Sequence, residues 1–144
     1  MREILFRGKR VDNGEIVEGF YIFDGFNHYI VKFYTDENAE GTLYPVQESF
    51  EVVPETVGQF TGLTDERGKK ISGGDIVRYS ERRLGGEDVP VVNVVEFAEG
   101  GFAVNNYFLN HWLWNSIYGN TQLSDIEVIG NIHDNPELLE KGGT

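Results

Sequence analysis

One pattern occurs twice in this chain. Phe6-x-Gly8-x5-Gly14-x2-Val17-x-Gly19 recurs as Phe60-x-Gly62-x5-Gly68-x2-Ile71-x-Gly73, with identical spacing. Each copy predicts a strand, a tight turn with glycine at a positive φ, and a returning strand. A second echo closes each copy, since Ser49-Phe50-Glu51-Val52-Val53 resembles Asp125-Ile126-Glu127-Val128-Ile129. The repeat divides the chain into two small β units, 1–56 and 57–144, with Pro54-Glu55-Thr56 at the junction. Coincidence is the alternative, because strand–glycine-turn–strand patterns are common in β proteins and this chain holds 18 glycines.

The rest of the chain reads the same way. Glu15 to Phe23 is a β-type run that stops at Asp24-Gly25, a hairpin dipeptide, and His28 to Tyr34 is its returning strand. Asp75 to Tyr79, Val89 to Phe97 and Gly101 to Val104 follow, with Glu99-Gly100-Gly101 as a further hairpin turn. Few windows carry a 3.6-residue period. The helix candidates are 107–116 and a short turn at 136–140, with Asn135 as its cap and Pro136 at its first position. Ten Phe, seven Tyr and two Trp fit a β-rich protein. The fold expected is all-β with minor short helices: two small SH3-like, bent-sheet units in tandem. In the second unit, Gly73-Gly74 marks a sharp bend, and Asp75 is expected to bond turn N–H groups rather than to act catalytically.

Several chemistries are excluded or left without support. There is no cysteine, so disulfides, thiolate metal sites and Cys nucleophiles are out. His28, His111 and His133 are scattered without metal-ligand spacing. Asp36 to Gly41 lacks the alternating oxygens of a calcium loop. No Gly-x-Ser-x-Gly elbow and no phosphate-binding Gly-x4-Gly-Lys-Ser/Thr loop occurs. No catalytic residue, metal or cofactor is therefore expected. The start of the chain has no apolar signal segment. The charge-free stretch 100–124 is too rich in Asn to favour a membrane span.

The net charge of -12 argues against a general polyanion binder. Yet eleven of the twelve bases precede residue 84, and Arg67, Lys69, Lys70, Arg82 and Arg83 cluster, making them the candidate nucleic-acid contacts. The remainder holds one base and nine acids, a net of 1 − 9 = −8. Charge-complementary self-association fits this asymmetry as well as a nucleic-acid groove does. The candidate partner or oligomer surface is the aromatic insert 100–124, with Tyr107, Phe108, Trp112, Trp114 and Tyr118. Trp and Tyr dominate interface hot spots because they bury large areas with few torsions. The alternatives are core that caps the open end of the β unit, or stacking on a ligand.

The segment Val57-Gly58-Gln59-Phe60-Thr61-Gly62-Leu63, continuing to Gly73-Gly74-Asp75-Ile76-Val77, resembles the hallmark of the YopX-like family of phage and prophage proteins. Arg2 to Arg7, Val94-Val95-Glu96-Phe97 and Ile126 to Leu139 are similar to that family's opening, middle strand and ending. The stretch 100–124 follows none of its motifs. The resemblance implies a phage or prophage gene, an intracellular protein and self-association, and it supplies no catalytic residue. The reading is a non-enzymatic protein acting through protein contacts in the host cytoplasm, as a homo-oligomer or with a host or phage partner. A nucleic-acid-binding or DNA-mimic accessory role is the alternative.

Overall fold

The computed structural model describes residues 3–82, 86–98, 101–104, 107–108 and 123–142. Among these the chain is mostly antiparallel strand, in two compact units, 1–60 and 61–144.

The first unit holds β1 (Phe6–Lys9), β2 (Ile16–Phe23), β3 (His28–Glu37), β4 (Leu43–Glu51) and the start of β5 (Gly58–Thr64). The order is β4-β3-β2-β1, with Gly58 and Gln59 paired on the far side of β1. Asp24-Gly25 makes the predicted hairpin. Gly25 sits at φ 101°, and the Asp24 carboxylate accepts from the Phe26 and Asn27 N–H groups.

The sheet then curls back on itself. Arg10 bridges Val52, the Val11 N–H donates to the Glu51 carbonyl at 2.9 Å, and the Val53 N–H donates to Lys9 at 2.9 Å. That closure buries Val17, Ile30 and Val52 against Phe6, Tyr21, Phe50 and Val57.

Beyond this core, β3 and β4 continue as an exposed hairpin arm. Strand backbone groups alternate in direction. Val52 donates inward to His28 whereas Glu51 accepts outward from Val11, so Ser49, Gln47 and Pro45 also face outward. Pro45 has no N–H to offer there, which blunts the open edge of the sheet.

The second unit holds the rest of β5, β6 (Lys70–Ser72), β7 (Asp75–Arg82), β8 (Asp88–Val94), β9 (Glu96–Ala98), β10 (Gly101–Val104), β11 (Tyr107–Phe108), β12 (Leu123–Asn131) and α1 (Glu137–Gly142). β7 lies between β12 and β8, and β10 between β11 and β9. Register shifts in β12 between Ser124 and Glu127 and between Val128 and Gly130 are the irregularities that bend such strands. The core is Ile71, Val77, Tyr79, Val95, Phe102, Val104 and Val128. The Tyr79 hydroxyl accepts from Asn93 at 3.1 Å, so its polar end is satisfied. Gly74 carries the predicted bend at φ 90°, and Asp75, 1% exposed, accepts the Ser72 N–H at 2.8 Å.

The sequence repeat has a counterpart within each unit. Gly14 and Gly68 hold the equivalent turns at φ 75° and 80°. Val17 and Ile71, which follow them, are both buried, as are Val52 and Val128 on the closing strands. In each unit the turn also bonds that closing strand, Val11 to Glu51 in the first and Glu66 to Ile126 in the second.

Two local expectations change. The helix expected over 107–116 does not begin at its first residues. Tyr107 and Phe108 are strand, paired with Val104 and Ala103, as suits aromatics beside a β-branched partner. Residues 109–116 lie outside the described residues. The Asn135 side chain turns back to accept the Asn131 N–H at 3.3 Å, while its backbone carbonyl accepts from Leu138.

Candidate interaction surfaces

Asp65 organises the basic turn of the second unit. It is 6% exposed. One carboxylate oxygen accepts the Arg67 and Lys69 N–H groups at 2.9 and 2.8 Å. The other accepts the Val128 N–H at 2.9 Å, from a residue 63 positions away. Burial pushes the carboxyl's pKa up. The Val128, Lys69 and Arg67 N–H groups and the Lys69 charge outweigh it, holding the group below the ordinary aspartate value.

The basic side chains around this turn are partly neutralised. Glu127 takes Arg67 at 3.2 Å and Arg78 at 2.9 Å. Arg67 remains exposed, Lys69 is exposed and Lys70 is half-buried. These three candidates therefore lie together on one turn and strand. Arg82 is placed only by its backbone, opposite Asp88, and Arg83 lies outside the described residues. Ion pairs this open contribute little, because solvent screens them. Replacing Glu127 with Gln is expected to lower stability by no more than about 1 kcal/mol, checked by urea denaturation.

The aromatic insert is only partly placed. Tyr107 and Phe108 are strand residues by backbone, while Trp112, Trp114 and Tyr118 lie outside the described residues. No group of three or more His, Asp or Glu positioned to hold a metal occurs among the described residues. No helix among them is long and apolar enough to cross a membrane. His28 stacks on Tyr21 and Phe23 and bonds the Tyr21 hydroxyl. A shallow groove of about 370 Å³ is lined by Arg10, Val11, Asp12, Ser49, Phe50 and Glu51. Its cation is already engaged: Arg10 donates twice to Asp12 and lies over the Phe50 ring at 4.4 Å.

The surface that sequence reasoning missed is on the first unit. Cross-strand partners share a face of a sheet. On one face lie Val17, Tyr21, Ile30 and Phe50, which form the core. On the other lie Ile16, Phe20, Ile22, Val31 and Phe33, with Glu18 between Ile16 and Phe20. Ile16, Phe20, Ile22 and Phe33 are 47–59% exposed. Phe20 and Phe33 meet edge to face at 5.8 Å. At the hairpin tip Phe26 is 89% exposed. The signal was present in β2, which is apolar at odd and even positions alike. Such a run marks a strand covered on both faces, not a half-solvated one.

A family model described as YopX protein matches residues 5–140, and the chain belongs to that family. Among solved structures, protein EF1440 from Enterococcus faecalis is similar to it, at 27% identity and a TM-score of 0.61 over 96% of this chain and 99% of that one. No curated protein matches this chain.

Proposed function

We propose that this is a phage or prophage protein of the host cytoplasm that has no catalytic activity of its own, works through protein–protein contacts and assembles with copies of itself. The observation that carries this reading is the exposed apolar surface of the first unit, where Ile16, Phe20, Ile22 and Phe33 are 47–59% exposed. Large apolar patches on a folded domain mark contact surfaces, because leaving them in water forgoes the hydrophobic stabilisation of burial. The groove beside β4 supports the same reading. It is shallow, and its Arg10 and Asp12 pair with each other. The aromatic insert, with Trp112 and Trp114, is a second candidate contact region.

Light scattering coupled to size exclusion, at low and high salt, tests the reading. The expected result is a stable multimer at both salts, because apolar contacts survive screening. A monomer at both salts overturns self-assembly.

A further inference from the structure

We propose that Asn13 is a site of spontaneous covalent modification, in which the Gly14 nitrogen displaces the Asn13 side-chain amide, and that the isoaspartate so formed opens the turn that closes the first unit. Three observations carry it.

The first is the pairing of residues in the turn between β1 and β2. Asparagine loses its amide when the backbone nitrogen of the next residue reaches its Cγ, and a side chain on that next residue obstructs the approach. Asn13 alone among the asparagines is followed by glycine. Both residues are exposed, and even a Cβ at Gly14 would meet nothing within 4 Å, so a five-membered ring has room to close. The equivalent place in the second copy of the repeat holds Arg67 before Gly68, which has no amide to lose. Asp24, which also precedes a glycine, is restrained. It cyclises only with its carboxyl protonated, and the Asn27 and Phe26 N–H groups hold that carboxyl below the ordinary aspartate value.

The second is the hydrogen bonding of the reacting groups. Asn13 Oδ1 accepts the Glu15 N–H at 2.9 Å, which polarises the side-chain carbonyl toward attack. The nucleophile is held instead, because the Gly14 N–H donates to the Arg10 carbonyl at 3.0 Å. That bond must break before the nitrogen loses its proton and turns on Cγ. One such bond slows the reaction about two- to tenfold relative to the unfolded chain. In the reaction the bond from the Gly14 nitrogen to Cγ forms and the Cγ–Nδ2 bond breaks. The amide leaves as ammonia, with the Gly14 proton. Water then opens the succinimide. Attack at the Cγ carbonyl gives aspartate. Attack at the backbone carbonyl gives isoaspartate, with the main chain running on through Cβ and Cγ.

The third is what the turn holds together. The Arg10 N–H donates to the Glu15 carbonyl at 2.8 Å, and the Val11 N–H donates to Glu51 at 2.9 Å. Arg10 also bridges Val52, a core residue 1% exposed. An extra main-chain carbon between residues 13 and 14 lengthens this closed turn and pulls on the Arg10–Glu15 and Gly14–Arg10 bonds. The lesion is therefore felt at the seam with the closing strand. The aspartate product keeps an acceptor for the Glu15 N–H and leaves the backbone unchanged.

The full chain, kept folded in warm, mildly alkaline buffer, carries the test. Peptide mapping by mass spectrometry is expected to find NH2 replaced by OH at Asn13 before any other asparagine, about two- to tenfold more slowly than in urea. Asn13 left intact while another asparagine reacts, or after the urea-unfolded chain has reacted completely, overturns the site. Labelling by an isoaspartate-specific methyltransferase counts the isomer, and thermal melting reads its consequence, each chain against its own fresh sample. Aged wild type is expected to melt lower. Aged Asn13→Gln is expected to melt unchanged, because glutamine closes its larger ring far more slowly. Fresh Asn13→Asp is expected to melt with fresh wild type, since it carries the charge without the added carbon. Aged wild type that is rich in isoaspartate and melts unchanged overturns the opening of the turn. An Asn13→Asp chain that melts as low as the aged protein overturns it too.

Discussion

Replacing Asp65 with alanine is expected to lower the stability of the second unit by about 2–4 kcal/mol at neutral pH. The size follows from what the carboxylate holds. Of its three N–H donors, those of Arg67 and Lys69 belong to exposed residues and can turn to water. The Val128 donor belongs to a residue 8% exposed and has no such recourse. Asp65→Asn is the sharper variant. It keeps the shape but exchanges one acceptor oxygen for an NH2 group. With all three donors pointing inward, a donor must then face a donor, and the expected loss is about 1–3 kcal/mol.

Acid titration gives the same residue a signature. The folded-state pKa lies below the ordinary aspartate value of 3.8. The unfolded chain therefore takes up the proton first. The stabilisation is complete above the unfolded value and is lost as pH falls through the folded one. The stability gap between wild type and Asp65→Asn should accordingly be widest at neutral pH and close below about pH 4. Urea denaturation across pH 2.5–7 reads it, and a gap that stays constant down to pH 2.5 refutes the assignment.

This residue also marks the limit of sequence reading. Local turn chemistry was legible because its causes lie within a few residues. Asp24-Gly25 closes a hairpin through the aspartate's own neighbours, and Asp75 accepts from Ser72 three positions away. Asp65 looks like another turn aspartate, and half of what it does is that. Its second oxygen reaches Val128 across the fold, and no local pattern announces a bond spanning 63 residues. The repeat was legible for a related reason. Glycine spacing encodes the turns, and apolar residues such as Val17 and Ile71 encode the core side of the strands that follow.

One reading went astray because aromatic residues fit several environments. The helix expected over 107–116 gives way at its start to a strand at Tyr107–Phe108. The cluster of Trp and Tyr in 100–124 also drew attention from β2, where no single residue is unusual. Alternation along the strand puts Phe20 and Tyr21 on opposite faces, and only the structure shows that the Phe20 face is exposed.

Gly19→Ala is expected to destabilise the first unit by about 3 kcal/mol, more than any glycine substitution in its turns. A Cβ added at Gly19 falls 2.3 Å from the Val31 carbonyl oxygen and 3.1 Å from the Ile30 side chain. The oxygen is backbone, so no rotamer change relieves the contact. β2 and β3 must separate where Phe20 pairs with Val31, beside the Ile30 core position. Gly14→Ala is the control. Its φ is +75°, which a methyl-bearing residue adopts at about 1–2 kcal/mol, but a Cβ there meets nothing within 4 Å. The two substitutions thus separate two reasons for glycine, and both fall in the first copy of the repeat. Thermal melting of the two variants decides the matter. Equal losses would mean that the strands relax around residue 19 and that close approach is not what requires glycine there. A Gly19→Ala loss well above that of Gly14→Ala places the constraint in the packing of β2 against β3, the pair that also carries Phe20 and Phe33 on its open face.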